Sequence, residues 1–176
     1  MASWNKTWPG LVSTPPLPNP RAYALFADKR NLALLSSAAW LQKQGFAPEL
    51  VDTPTRGIPA TIPVTPQNAE QLWGERKNLF FKPVTGFGSR AVYRGAKLTK
   101  KVWAHIIQGG YVAQDLVAPG QRHILLNGAP EILKVDLRAY AYNGAIQFLA
   151  ARLYRGQTTN MKTPGGGFAS VFTEAD

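Results

Sequence analysis

The dipeptide Asn143-Gly144 limits the possible folds more than any other part of the sequence. It lies between residues 131–142 and 145–154, two stretches that are long enough and apolar enough to form strands. Asn-Gly readily adopts the left-handed backbone conformation that a two-residue turn between antiparallel strands requires. We therefore predict a hairpin of two long antiparallel strands. Within it, Asp136 and Arg138 alternate with apolar neighbours, which places both side chains on one face.

Glycine and proline divide the rest of the chain into short elements. Residues 1–20 hold five of the 14 prolines, and we interpret them as an extended arm. Residues 21–76 are predicted to be a mainly helical segment. Its Ala- and Leu-rich part forms one or two helices that end before Gly45, followed by extended pieces over residues 46–66 and a short helix after Pro66.

The part of the chain after residue 77 contains the clearest strand and turn signals. Besides the hairpin, the predicted elements are strands over residues 79–83, 91–94 and 111–117, an amphipathic helix over residues 98–108 and a final apolar run over residues 168–172. This order of elements indicates an α+β fold with mostly antiparallel pairing.

Composition excludes several classes of protein. The chain has no cysteine, so disulfides, thiolate zinc sites and a cysteine nucleophile are excluded, and we expect a cytoplasmic location. We expect no membrane segment, because no apolar run reaches about 18 residues, and no secretory signal at the N-terminus. His105, in the predicted helix, and His123, in a predicted loop, lack the neighbours that a metal site or a Ser–His–Asp triad needs. A formal charge of +10 implies an anionic partner, such as a nucleotide, a nucleic acid or an anionic membrane.

Lys82 and the glycine-rich loop behind it are the first candidate site. Lys82 ends a short strand, and Gly86, Gly88, Ser89 and Arg90 belong to the loop that follows. A phosphate site needs a fixed cation together with backbone that can approach the ligand closely, which glycine permits. The spacing excludes a P-loop. An ordinary glycine-rich hairpin with an exposed lysine explains the same residues equally well.

Three further groups of polar residues are candidates. Gln114 and Asp115 end a strand and can face a nucleotide, although an edge strand with solvated side chains accounts for them too. Asp136 and Arg138 lie across the hairpin from Arg152 and Arg155, as a structural ion pair or as guanidinium groups for a phosphate. The last candidate is the polar loop formed by Asn160 and the three glycines at residues 165–167.

The order of these elements resembles the ATP-grasp superfamily, in which ATP is used to join a carboxylate to an amine. The segment from Asn19-Pro20 through Asp28-Lys29 is similar to the one that precedes the core in the circularly permuted branch, with its glutathionylspermidine synthase-like proteins. The resemblance covers roughly residues 19–172. It implies two small lobes, about residues 77–118 and 119–176, whose antiparallel sheets enclose a nucleotide cleft after a helical segment over residues 21–76.

The resemblance also implies roles for individual residues. Lys82 would bind phosphate, the glycine loop would cover it, and residues 114–117 would hold adenine. The implied catalytic residues are Arg138, Arg152 and Asn160. The residues implied for ATP are Lys82, Gly86, Gly88, Ser89, Arg90, Gln114, Asp115, Leu116, Val117, Asp136, Gly165, Gly166 and Gly167.

Magnesium is expected for this family, but its ligands are not evident in the sequence. The family holds Mg²⁺ with carboxylates, commonly a Glu and an Asn one residue apart, and this chain contains neither Glu-x-Asn nor Asp-x-Asn. We therefore expect a partial copy of the family's core, inactive alone unless another segment or another chain completes the site.

Two alternatives remain open. A basic, non-catalytic module that binds nucleic acid fits the net charge of +10 and the available Trp and Tyr side chains. A scaffold subunit that retains the fold without activity is the other alternative.

Overall fold

The computed structural model describes residues 20–86, 88–156, 159 and 161–172. It divides into two compact units, Met1–Leu116 and Val117–Asp176. The predicted arm over residues 1–20 lies outside the described residues, apart from Pro20. The molecule is α+β, with two four-stranded sheets in which every strand pair is antiparallel.

The first unit begins with four short helices. They are α1 (Pro20–Phe26), α2 (Arg30–Leu35), α3 (Ala38–Lys43) and α4 (Pro48–Gly57). Three helices precede Gly45 within the described residues, so the prediction of one or two is wrong. Ser37 separates the last of them from the helix before it. Its hydroxyl accepts a hydrogen bond from the Trp40 N–H and caps a new helix.

The prediction of extended structure over residues 46–66 is wrong for α4. Pro48 lies in the first turn of α4, where a missing N–H costs nothing. Pro54 removes one helical hydrogen bond, while the Ile58 N–H still donates to the Pro54 carbonyl at 2.8 Å. Proline therefore starts this helix and interrupts its hydrogen bonding once without ending it.

The first sheet contains β1 (Thr61–Pro63), β2 (Leu79–Pro83), β3 (Tyr93–Arg94) and β4 (Tyr111–Asp115), in the order β1-β4-β2-β3. Two helices of this unit follow β1 and β3: α5 (Ala69–Glu75), which comes after the 3₁₀ turn Pro66–Asn68, and α6 (Lys100–Ile106). Every predicted element after Pro66 is present in this unit, although β3, β4 and α6 are each shorter than predicted.

The core of the first unit lies on one face of this sheet. Phe81, Leu72 and Ile106 are buried completely or nearly so, and the ring of Phe81 meets the edge of Trp103 at a centroid distance of 5.3 Å. Gly95 follows β3 and is required by close packing, because a Cβ there would lie 1.8 Å from the Arg76 carbonyl oxygen.

The second unit is a four-stranded meander. Its strands are β5 (Gly120–Leu126), β6 (Ala129–Tyr142), β7 (Ala145–Tyr154) and β8 (Gly167–Ser170), paired in sequence order. The predicted hairpin is confirmed: Asn143 and Gly144 have φ values of 48° and 77°, as the two-residue turn requires.

Strand β5 was not predicted. It contains His123, which the sequence analysis assigned to a loop, and that assignment is wrong. A second left-handed pair, Asn127 and Gly128 with φ values of 52° and 81°, connects β5 to β6. The turn signal was therefore present, but the polar residues of β5 concealed the strand before it.

None of the helices in the described part of the chain is both long and apolar enough to span a lipid bilayer.

Candidate functional site

Lys82 lies on β2 with its side chain on the face opposite the core. Leu79 and Phe81 of the same strand are buried, so the alternation of β2 turns Phe80 and Lys82 to the other face. The side chain of Lys82 is half-buried. Its Nζ donates a hydrogen bond to Oε1 of Gln114 on the neighbouring strand β4, at 2.5 Å. The hairpin between β2 and β3 is present, but the lysine is not exposed as the alternative explanation required.

Gln114 is held in one orientation by a chain of hydrogen bonds. It is only 7% exposed, and its Nε2 donates to Oγ1 of Thr61 at 2.8 Å. The Thr61 hydroxyl in turn donates to the Pro59 carbonyl at 2.8 Å. Because the hydroxyl gives its hydrogen to Pro59, its oxygen accepts from the amide NH₂ of Gln114, and the amide oxygen faces Lys82. Gln114 is thus neither solvated nor on an edge strand, since β4 lies between β1 and β2.

Lys29 is a second cation at this site. It precedes α2, and its Nζ donates to the Gly86 carbonyl at 3.0 Å while its backbone N–H donates to the Val84 carbonyl at 2.9 Å. The sequence analysis named Lys29 only in the resemblance to the ATP-grasp superfamily and did not assign it to the site. Its contact with Gly86 spans 57 residues, and no local pattern announces a contact of that range.

The two lysines influence each other's ionisation. Burial, and then the positive charge of Lys29, lower the pKa of Lys82 below its ordinary value of 10.5. Burial also lowers the pKa of Lys29, and the nearby carboxylate of Asp28 partly opposes that shift. Asp28 is itself bound by Arg30, which donates to it at 2.6 Å and holds the pKa of that carboxyl below its usual value. The oxygens that accept from the two ammonium groups are those of the Gln114 amide and the Gly86 carbonyl, and both are neutral.

The glycine-rich loop after β2 has an unusual backbone. Gly86 and Gly88 have φ values of 103° and 69°, and Ser89 and Ala91 adopt φ values of 57° and 53°. A non-glycine residue in this region costs about 1 kcal/mol or more, and such strain is concentrated at functional sites. A Cβ at either glycine would meet nothing within 4 Å. Glycine is therefore favoured here by the positive φ and not by lack of space for a side chain.

The remaining residues implied for the nucleotide lie around this cluster or beyond it. Arg90 and Asp115 are exposed, and Leu116 closes the first unit with a hydrogen bond from its N–H to the Asn78 carbonyl at 2.8 Å. Val117 is the first residue of the second unit. In the first unit, the structure thus brings together Lys82, Gln114 and the start of the glycine loop.

In the second unit, the residues assigned to the long hairpin meet on one face. Asp136 pairs directly with Arg152 in the β6–β7 register, and Arg152 Nε donates to Asp136 Oδ1 at 2.5 Å. The two side chains are 25% and 29% exposed, so this ion pair is partly shielded from solvent. Arg138 lies on the same face, with its guanidinium 5.8 Å from the ring centre of Tyr140. Of the two explanations for Asp136 and Arg152, the structural ion pair is present.

The loop of three glycines packs against its own sheet. A Cβ on Gly166 would lie 2.5 Å from Thr163 Oγ1 and 3.0 Å from the Leu153 carbonyl, and one on Gly165 would meet the side chains of Leu126 and Ile124 at 3.3–3.4 Å. Gly167 begins β8. Asn160, the third implied catalytic residue, lies outside the described residues.

The two carboxylates of β6 are already paired with arginines. No group of three or more His, Asp and Glu side chains occurs within residues 20–86, 88–156, 159 and 161–172. In the second unit, Asp136 is paired with Arg152, and Glu131 with Arg155 at 2.9 Å. Mg²⁺ requires oxygen ligands, and these carboxylates are already engaged by guanidinium groups.

No model of a known protein family matches this chain, and no curated protein matches it either.

Proposed function

We propose that the chain is the ATP-binding domain of an ATP-dependent carboxylate–amine ligase of the ATP-grasp type. The observation that carries this proposal is the pair of ammonium groups at the glycine loop. Lys82 is half-buried with a neutral amide oxygen as its acceptor, and Lys29 holds the loop itself through the Gly86 carbonyl. A partly buried cation without a counter-ion is stabilised by any anion that reaches it.

A polyphosphate suits this arrangement better than a single carboxylate does. Two cations on separate elements, one on β2 and one before α2, offer charge at two points, and a chain of phosphates carries charge at several. A phosphate oxygen that accepts from Lys82 would replace the amide oxygen of Gln114 with an anionic acceptor and make the hydrogen bond stronger. The left-handed backbone of Ser89 and Ala91 adds a strained loop next to the strand that carries Lys82, and glycine-rich loops of this kind can offer backbone N–H groups to phosphate.

In the reaction of this class, a carboxylate oxygen attacks the γ-phosphorus of ATP while the bond from phosphorus to the bridging oxygen breaks and ADP leaves. The amine then attacks the acyl-phosphate and releases inorganic phosphate. For the negative charge of the transferred group, the resemblance implies Arg138, Arg152 and Asn160. Of these, Arg152 is bound to Asp136. Because the sequence contains neither Glu-x-Asn nor Asp-x-Asn, we propose nucleotide binding for the chain alone, and a complete transfer only with further residues from elsewhere.

Calorimetric titration with ATP, ADP and adenosine tests the proposal. We expect ATP to bind more tightly than ADP, and adenosine to bind least, because the phosphates carry the interaction. Binding should persist when Mg²⁺ is omitted.

Two variants with the same substitution sharpen this test. Lys82→Met should weaken ATP binding by about tenfold or more, as expected for loss of one partly buried charge-assisted contact. Lys101→Met, on the exposed side of α6, should change it by less than about twofold. No heat with ATP, or equal losses in the two variants, contradicts the proposal.

A further inference from the structure

Three exposed aromatic side chains lie on one face of the second sheet. Tyr140 of β6, Phe148 of β7 and Phe168 of β8 are 41%, 47% and 54% exposed. Tyr140 and Phe148 are directly paired, with ring centres 5.8 Å apart, and Phe168 is paired with Arg152. Paired residues turn their side chains to the same face, and the even-numbered residues of β7 share that face. The three rings therefore border a common surface, which we call the aromatic face.

The aromatic face has a depression between its rings. Ala150 and Ser170 are paired with each other in the row between Phe148 and Arg152, and both side chains are small. Tyr140, Phe148 and Phe168 rise around them and enclose a shallow cavity of about 230 Å³. Ser170 lines the same cavity, and a serine hydroxyl can both donate and accept a hydrogen bond.

A cation stands at the edge of the aromatic face. Arg138 is paired with Ala150, so it continues the row of small residues, and its guanidinium lies 5.8 Å from the Tyr140 ring. Asp136 is bound to Arg152, and in the described part of the chain Arg138 has no carboxylate within ion-pair distance. Rings and an unneutralised guanidinium thus adjoin each other in a chain whose formal charge is +10.

We infer that the aromatic face binds single-stranded nucleic acid, with bases stacked on its rings and a phosphate on Arg138. Every base has a flat face, and aromatic side chains beside a basic group are the means by which proteins hold single strands without reading sequence. A duplex hides the faces of its bases within its own stack. A second copy docked through the same face would place another Arg138 on that surface, together with a carboxylate, Asp136, that is already bound to Arg152. The inference uses residues of the second unit only. It shares Arg138 with the proposed function, whereas its tests at Tyr140 and Phe148 do not involve the site at Lys82.

Fluorescence anisotropy with the full chain and a labelled oligothymidylate tests the inference. Loss of one base–aromatic stack is expected to weaken binding by about tenfold, so Tyr140→Ala and Phe148→Ala should each do so. Phe46→Ala, a truncation of an equally exposed ring in the first unit, should change binding by less than about twofold. Tyr140→Phe keeps the ring and should bind as the unaltered protein does, which separates stacking from any loss of folding.

The salt dependence separates the two parts of the contact. If Arg138 neutralises a phosphate, Arg138→Ala should flatten the plot of log affinity against log salt by about 0.7. Tyr140→Ala should shift that plot without changing its slope.

Four results would overturn the inference. The first two are no binding to the oligonucleotide at low salt and equal binding to the single strand and its duplex. The others are equal losses of affinity in Phe46→Ala and Phe148→Ala, and light scattering that shows a dimer which Phe148→Ala dissociates. The last result would assign the face to a second copy of the chain.

Discussion

The two units of this molecule differ in how far they bury their large apolar side chains. In the first unit, one face of a short sheet is covered by α5 and α6, and Phe81, Leu72 and Ile106 form a closed core. The sheet of the second unit is longer, yet many of its large apolar side chains remain exposed, among them Leu137, Ile146 and Phe148. A buried polar group costs free energy unless it forms a hydrogen bond. In the first unit, Lys82 and Gln114 meet this requirement by bonding to each other.

The difference shows where each kind of ligand contact can arise. A partly buried ammonium group such as that of Lys82 interacts strongly with one anion, because little water screens it. An open sheet face offers area, rings and screened charges, which suit a flexible chain that touches many points weakly. Four predictions test this contrast, beginning with the largest effect.

Removal of a core ring should distinguish the units most clearly. Phe81→Ala leaves a cavity in a closed core and should lower the free energy of unfolding of the first unit by about 3–5 kcal/mol. Leu137→Ala removes a side chain that is 67% exposed on the second sheet and should cost less than about 0.5 kcal/mol. All five tryptophans precede residue 117, so tryptophan fluorescence during urea unfolding reports on the first unit. Hydrogen exchange of the β6 and β7 amides reports on the second. A loss below about 1 kcal/mol for Phe81→Ala would show that this core is not closed.

Loss of the glutamine at the site should have the next largest effect. Gln114→Leu leaves the Lys82 ammonium without its acceptor and should destabilise the first unit by about 2 kcal/mol in the same urea experiment. Gln42→Leu, at an exposed position of α3 in the same unit, serves as the control and should change stability by less than about 0.5 kcal/mol. If the two variants behave alike, the hydrogen-bond chain from Lys82 to Thr61 contributes nothing to stability.

The ion pairs of the molecule provide a smaller contrast. Asp136→Asn removes the charge that faces Arg152 in a partly shielded pair, and we expect a loss of about 1 kcal/mol, read from hydrogen exchange of the β6 and β7 amides. Asp52→Asn breaks the pair of Asp52 with Arg56 on α4, whose side chains are 60% and 79% exposed, and should cost at most about 0.3 kcal/mol. Equal values would mean that the second sheet does not shield Asp136.

The smallest expected effect is a dependence of stability on pH. Because the pKa of Lys82 is lower in the folded protein than in the unfolded chain, the unfolded chain binds more protons between the lowered pKa and about 10.5. Stability of the unaltered protein relative to Lys82→Met should therefore rise as pH increases through that interval. Paired urea titrations of the two proteins at several alkaline pH values measure the difference, and a constant difference would show that Lys82 keeps its ordinary pKa.

The sequence predicted what depends on neighbouring residues and missed what depends on distant ones. Asn143-Gly144 specified the hairpin because the backbone preference of two adjacent residues suffices for a turn. Lys82 and Gln114 were each assigned to the site, but their contact spans 32 residues and required the β2–β4 register. Lys29 was missed for the same reason. Strand β5 was missed because its polar residues lack the apolar alternation that identifies strands.

The ionisation of Lys82 with and without nucleotide tests the central claim most directly. Nuclear magnetic resonance of ¹³C-labelled lysine, with the Lys82 signal assigned by its absence in Lys82→Met, follows this titration. We predict a pKa below 10.5 in the free protein, owing to burial and to Lys29, and an upward shift when ATP brings negative charge to the ammonium group. A pKa of Lys82 that does not move when ATP is added at saturating concentration would contradict the account.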